Sequence, residues 1–95
     1  MIIDLSGICM SDYESQTVTD EASAINIDAG DGCDRALITC EQAAIRFRLD
    51  GEDPSTGHRL ATGDGILLTD PASIKNFRAV RAADTDAILR ISYGI

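Results

Sequence analysis

The stretch that most constrains the fold runs from Ala43 to Thr69, where a turn-rich segment separates two apolar runs. In the first run, Ile45, Phe47 and Leu49 occupy every second position, with arginines between them. Side chains of a β-strand alternate between its two faces, so this period predicts a half-buried strand. The intervening segment is rich in Asp, Gly and Pro, which favour turns. We therefore expect the two runs to form a strand pair to which the other strands are added.

Strands are also predicted on both sides of this stretch. Residues Ala87 to Tyr93 alternate so that Ala87, Leu89, Ile91 and Tyr93 share one face. Earlier in the chain, Arg35 to Cys40 forms an apolar strand, and we expect it to make a hairpin with Ser23 to Asp28 across a glycine-rich loop. Several short strands separated by turns at roughly ten-residue intervals are typical of a β-sandwich or a small barrel.

The apolar period changes between residues 71 and 82. Ile74, Phe77 and Val80 are spaced by three residues, which does not fit a regular strand. A helical turn from Pro71 to Asn76 that leads into a strand would explain this spacing, and so would a bulge near Phe77.

The 95 residues predict one domain, 1–95, in which residues 1–12 form either an extended arm or an edge strand. The expected fold is all-β: a small antiparallel β-sandwich, jelly-roll or immunoglobulin-like, of seven to eight short strands. With two Phe, two Tyr and no Trp, the core is built mainly from aliphatic side chains. Such a thin core favours further burial against a neighbouring subunit, so we expect a homo-oligomer or symmetric assembly.

The charge of the chain bears on its partners. Sixteen acidic and eight basic residues give a formal net charge of −8, which repels nucleic acid and anionic membranes. No segment is long enough for a membrane span. Three cysteines without a C-x-x-C pair indicate reduced thiols in a cytosolic environment, and Cys40 is expected in the core.

No catalytic or metal-binding pattern is present. The acidic loop from Asp28 to Asp34 and the cluster of Asp50, Glu52 and Asp53 are similar to calcium loops, but the flanking ligands of an EF-hand are missing and solvated loops are favoured. His58 has no companion ligand nearby in sequence, so we expect it at a loop or strand start, bonded to backbone carbonyls. We predict no catalytic residues, no cofactor and no metal.

Five arginines are the candidate partner-docking residues. Because side chains alternate along a strand, these arginines could share the polar faces of their strands and form a basic stripe that meets an acidic partner surface. The alternative is cross-strand pairing with Asp or Glu on the same sheet. The five residues are Arg46, Arg48, Arg78, Arg81 and Arg90.

From Glu41 to Tyr93, the order and spacing of several short motifs resemble small virion-associated proteins of tailed bacteriophages. The motifs are I-R-F-R-L-D-G from Ile45, G-H-x-L from Gly57, I-x-x-F-R-A-V-R from Ile74 and A-x-L-x-x-x-Y from Ala87. The resemblance implies a non-enzymatic structural role as a capsid decoration or head-associated subunit. Its partners would be the major capsid protein or other virion proteins, and its location the virion, assembled in the host cytoplasm.

Two alternatives stay open. The first is a tail-associated virion protein, which the same resemblance allows. The second is a free β-sandwich module that binds a glycan or calcium through its loops. Binding of a stable oligomer to capsids would favour the virion role, whereas calcium-dependent stabilisation would favour the module.

Overall fold

A computed structural model describes residues 10–24 and 34–94 of the chain. Within these ranges the protein consists of eight strands, one short helix and one 3-10 turn. Seven strands have three to nine residues, and β2 has two. The elements are β1 (Met10–Val18), β2 (Ser23–Ala24), β3 (Arg35–Glu41), β4 (Ile45–Arg48), the 3-10 turn (Pro54–Thr56), β5 (His58–Leu60), β6 (Gly65–Leu68), α1 (Pro71–Asn76), β7 (Arg78–Arg81) and β8 (Ala87–Gly94).

The strands form two antiparallel sheets. Sheet A has the order β1-β8-β3-β6, and sheet B has the order β2-β7-β4-β5. The first strand thus pairs with the last, the second with the seventh, the third with the sixth and the fourth with the fifth. This nested pairing is the strand order of a jelly roll, in which two four-stranded sheets enclose one core. The all-β sandwich expectation is confirmed, and the strand order corresponds to its jelly-roll form.

The core lies between the two sheets and follows the two-residue period of the sequence. In β8, the side chains of Ala87, Leu89, Ile91 and Tyr93 are all buried, as predicted. Ile45 and Phe47 of β4 are buried as well, and Leu49 packs against them just beyond the strand. The buried apolar residues are Val18, Ala36, Ile38, Cys40, Ile45, Phe47, Leu60, Leu68, Ile74, Phe77, Ala79, Ala87, Leu89, Ile91 and Tyr93.

Two predicted strand pairings are wrong. Both neighbours of β3 are other strands, β8 and β6, so Arg35 to Cys40 does not form a hairpin with Ser23 to Asp28. Instead, Ser23 lies opposite Ala79 of β7, while residues 25–28 lie outside the described ranges. The two apolar runs of residues 43–69 also lie apart, because β4 belongs to sheet B and β6 to sheet A. The physical reason is the jelly-roll winding, which places β2 and β3, and likewise β4 and β6, in opposite sheets.

The predicted helical turn is confirmed. Helix α1 spans Pro71–Asn76, and the Asp70 carboxylate caps it by accepting a hydrogen bond from the Ser73 amide at 3.3 Å. Proline at the first helical position has the backbone angle that a helix needs and lacks an amide that would be unpaired there. Ile74 and Phe77 are both buried, which explains their three-residue spacing.

The chain crosses from sheet A to sheet B in three residues between β3 and β4. Gln42 has a φ of 72°, and the Ala43 amide donates to the Glu41 carbonyl at 2.8 Å, which closes a tight γ-turn. The Gln42 side-chain amide donates to the Asp86 carbonyl at 2.7 Å. The crossing is thereby tied to the loop between β7 and β8.

The remaining expectations concern the chain start and the cysteines. Residues 10–12 belong to β1, an edge strand of sheet A, while residues 1–9 lie outside the described ranges, as do Cys9, Cys33 and residues 28–33 of the acidic loop. Cys40 is buried, as predicted, and its thiol donates to the Ala43 carbonyl at 2.9 Å. Burial raises the pKa of this thiol.

Candidate docking face

Four arginines share the outer face of sheet B. Arg46 and Arg48 alternate with the buried Ile45 and Phe47 on β4, so they point away from the core. Arg59 of β5 lies directly opposite Arg46 in the strand register. Arg78 of β7 lies directly opposite Arg48. Residues opposite each other on neighbouring strands project to the same side of a sheet, so Arg46, Arg48, Arg59 and Arg78 form one surface, the arginine face.

The guanidinium groups of the arginine face have few carboxylate partners. Arg48 forms an ion pair with Asp50, which lies just after β4, and this pair lowers the pKa of the Asp50 carboxyl. Arg46 donates to the Gly57 carbonyl at 3.4 Å, and Arg78 donates to the Lys75 and Phe77 carbonyls at 3.0 and 2.8 Å. In the part of the chain that the structure describes, the Arg59 side chain has no ion pair or hydrogen bond.

A short segment packs on this face beside Arg46. The 3-10 turn begins at Pro54, which is buried, and the Asp53 carboxylate accepts from the Ser55 amide at 2.9 Å. This hydrogen bond lowers the pKa of Asp53. Gly57 approaches β4 so closely that a Cβ atom there would lie 2.2 Å from the Phe47 carbonyl oxygen. Only glycine permits this contact, so the segment is held tightly against β4.

A shallow groove runs beside the same segment. Arg46, Ser55 and Val80 line its part on the arginine face. Asp20, Arg81 and Asp84 line it as well. The hydrogen bond to Asp86 raises the pKa of Arg81, and the charges of Asp20 and Asp84 raise it further. The groove therefore places Asp20 and Asp84 on the same surface as Arg46, beyond ion-pair distance of its guanidinium.

The structure brings three of the five predicted docking arginines together and separates two. Arg81 lies opposite the buried Ile45, so it is on the other side of sheet B from the arginine face, and it pairs with Asp86 at 2.7 Å. Arg90 is on the outer face of sheet A and pairs with Glu41 at 3.1 Å. A single stripe that includes Arg90 is thus wrong, because β4 and β8 belong to different sheets. For Arg90, the alternative of cross-strand pairing is the observed arrangement.

Sequence reasoning missed Arg59. The three-residue strand His58–Leu60 lies inside the turn-rich segment that was predicted to connect the two apolar runs. The signal was the apolar Leu60, which is buried beside Ile45 and fixes the outward direction of its neighbour Arg59. A strand this short contains only one full alternation, which is too little to recognise from the pattern alone.

His58 begins β5, as predicted. Among the described residues its side chain forms no hydrogen bond to a backbone carbonyl, so that part of the prediction is wrong, and its ring instead lies against Phe47 with the ring centroids 5.5 Å apart. Backbone contacts hold the segment from Asp50 to Gly57 in place: the Gly51 amide donates to the Asn76 carbonyl, and the Gly57 amide to the Pro54 carbonyl. Of the second acidic cluster, Asp50 pairs with Arg48 and Asp53 caps the 3-10 turn.

Comparison with known proteins gives no match: the chain matches no protein-family model, no curated protein and no solved structure. Within residues 10–24 and 34–94 of the protein, no three His, Cys, Asp or Glu side chains are grouped so that they could hold a metal ion. The same ranges contain no helix with the length and apolar character to cross a bilayer.

Proposed function

We propose that this chain is a non-enzymatic structural subunit of a tailed-bacteriophage virion, a capsid decoration or head-associated protein that binds the assembled shell. The observation that carries the proposal is the arginine face, an outward sheet surface with positive charge in a molecule whose formal net charge is −8. Such a surface suits attachment to an acidic protein surface, because complementary charge steers and orients docking.

Two further observations support the virion role. The motif resemblance to phage virion-associated proteins extends from Glu41 to Tyr93, and these residues include all four arginines of the face. The jelly-roll order is frequent in viral capsid domains, although lectins and other binding proteins use it too. Because one fold serves many functions, the strand order supports the proposal only together with the arginine face.

The partner in this proposal is the major capsid protein or another virion protein, and the chain joins the particle after synthesis in the host cytoplasm. A position in the tail would use the same face and the same kind of partner. The thin aliphatic core fits a subunit that works within a homo-oligomer or symmetric assembly.

The proposal is tested with particles produced from the genome that encodes this chain. Purified particles lacking the chain are mixed with it and separated on a density gradient. We expect the chain to migrate with the particles, the double variant Arg46→Gln/Arg59→Gln to stay at the top, and the control Lys75→Gln to behave as the parent. A parent chain that stays at the top would contradict the virion role.

Thermal unfolding provides a second measurement, because a ligand that binds only the folded state raises the apparent stability. We expect calcium and a glycan panel to leave the unfolding midpoint of the chain unchanged. A midpoint that rises with calcium or with one glycan would favour the free binding module instead.

A further inference from the structure

We propose that Arg46 and Arg59 together form a binding site for paired carboxylates of an acidic protein segment. This inference rests on the proposed function for the identity of the partner, and on the geometry of sheet B for the chemistry of the site. It names a specific recognition unit within the arginine face, and it includes a residue that the sequence pattern did not reveal.

The strand register opposes arginines in two places on sheet B. Arg46 and Arg59 are directly opposed on β4 and β5, and Arg48 and Arg78 are directly opposed on β4 and β7. Opposed residues have Cβ atoms about 5 Å apart, and like charges on directly opposed residues destabilise a sheet. The outer face of sheet B thus carries two opposed arginine pairs side by side. Among the described residues, Asp50 offsets the charge of Arg48, and no carboxylate offsets the charge of Arg46 or Arg59.

The other arginines of the chain differ from Arg46 and Arg59 in their ion pairs. Arg35, Arg81 and Arg90 each have a carboxylate within ion-pair distance, at 3.3, 2.7 and 3.1 Å. On the arginine face, Arg48 alone has one among the described residues. Carboxylates within ion-pair distance therefore accompany Arg35, Arg81 and Arg90, whereas none of the described residues supplies one to Arg46 or Arg59. An acidic partner would supply the missing charge and remove the repulsion.

Contacts of Gly57 hold the Arg46 side of the site in place. The Arg46 guanidinium donates to the Gly57 carbonyl, and the close contact of Gly57 with the Phe47 carbonyl fixes the position of that acceptor. The Arg59 side chain is exposed and has donors available. A guanidinium presents several donors in a planar fork, and this geometry matches a carboxylate.

The charge of the chain and the spacing of its strands identify the occupant of the site. The four other basic residues stand against sixteen acidic residues in the whole chain, so an extended polyanion that leaves the arginine face meets a repulsive surface. Neighbouring strands are about 4.8 Å apart, so the pair offers two charges on a narrow strip. Two carboxylates of one acidic protein segment fit this strip, whereas a long phosphate backbone does not.

The experiment measures fluorescence anisotropy of a labelled hexaglutamate peptide, with the full chain as the titrant. We expect Arg59→Gln to weaken binding by about tenfold, since it removes charge-assisted hydrogen bonds. Lys75→Gln makes the same change of charge at an exposed position of α1. Only the backbone carbonyl of Lys75, which the variant retains, contacts the arginine face, through Arg78. We expect this variant to bind as the parent does. Equal binding by both variants would overturn the site.

Thermal unfolding of the same variants gives a readout that a generic loss of charge does not move. We expect Arg59→Gln to raise the unfolding midpoint by about 2 to 4 °C at low salt, because it relieves the repulsion with Arg46. Arg59→Lys keeps the charge and loses the fork, so we expect weaker peptide binding with an unchanged midpoint. A midpoint for Arg59→Gln that falls or equals that of Lys75→Gln would contradict the unfavourable pair.

A labelled oligothymidylate completes the design. If it binds more tightly than hexaglutamate, the preference for carboxylates is wrong. The gradient experiment with particles fails independently of these measurements. Peptide binding that depends on Arg59, together with a chain that stays at the top of the gradient, would uphold the site and overturn the virion role.

Discussion

The outer faces of the two sheets use arginine in opposite ways. On sheet A, Arg90 of β8 pairs with Glu41 of β3. Its guanidinium also donates to the Tyr13 hydroxyl of β1 at 3.2 Å. On sheet B, Arg46 faces Arg59, and both lack a carboxylate among the described residues. Arginine therefore forms an ion pair with its neighbour Glu41 on sheet A, whereas Arg46 and Arg59 repel each other on sheet B.

This difference separates the positive charge that serves the fold from the charge that is available to a partner. The donors of a paired arginine are occupied, so it must break the ion pair with its neighbouring carboxylate before it can bind a partner. An arginine opposed to another arginine gains when a carboxylate arrives. This contrast between the two faces is the reason that the proposed docking site lies on sheet B.

The largest expected effects test whether the two sheets share one core beneath these different faces. Leu89 of sheet A is fully buried, and Phe47 of sheet B is 7% exposed and lies with its ring 5.7 Å from that of Phe77. We expect Leu89→Ala and Phe47→Ala each to lower the free energy of unfolding by about 2 to 5 kcal/mol, measured by urea denaturation. If either variant is as stable as the parent, its sheet does not belong to the shared core.

The next effect concerns the segment that supports the arginine face. We expect Gly57→Ala to lower the free energy of unfolding by about 2 to 3 kcal/mol, because the new methyl group would collide with the Phe47 carbonyl. Gly63→Ala is the matched control: its Cβ meets open space but its φ is +87°, so we expect a loss of about 1 kcal/mol. Equal losses would show that the segment does not press on β4.

A smaller effect distinguishes the charges of the two faces directly. We expect Glu41→Gln to lower the unfolding midpoint slightly at low salt, since it removes the partner of Arg90, and to have no effect at high salt because the pair is exposed. The sign is opposite to that expected for Arg59→Gln. Shifts of the same sign in calorimetry would remove the distinction between sheet A and sheet B.

The smallest effect is the pH dependence at the edge of the arginine face. Hydrogen bonds from Arg48 and from the Ser55 amide lower the pKa of Asp50 and of Asp53, respectively, below the usual 3.8. A lowered folded-state pKa adds stability above the usual pKa, and this contribution is lost as the pH falls through the folded-state pKa. We therefore expect Asp50→Asn to flatten the acid loss of stability below about pH 4. An unchanged acid profile would contradict the Arg48 pair.

Much of the local structure could be predicted from the sequence. The alternation in Ala87 to Tyr93 and at Ile45 and Phe47 defines strands and their buried faces, because the side-chain period depends only on backbone geometry. The residue that caps the helix from Pro71 to Asn76 and the proline that begins this helix are adjacent in the sequence. These features depend on near neighbours along the chain, so they are visible without tertiary structure.

The pairing of strands could not be predicted in the same way. Strand β3 lies between β8 and β6, and the predicted partner from residue 23 onward lies in the other sheet. Several apolar strands offer similar faces, and the choice among them depends on how the whole core packs. The arginine face has the same origin, since Arg46 and Arg59 are 13 positions apart and meet only through the register of β4 and β5.

The sequence by itself determined most of the strand segments, which side of β4 and of β8 is buried, and that the molecule is acidic with its arginines in its later part. Tertiary structure alone decided that the strands wind as a jelly roll, that Arg90 is paired on sheet A, and that Arg59 joins Arg46, Arg48 and Arg78 on sheet B. The physical reason is range: periodicity acts between residues two to four positions apart, whereas strand order and cross-strand neighbours are selected by packing among residues distant in the chain.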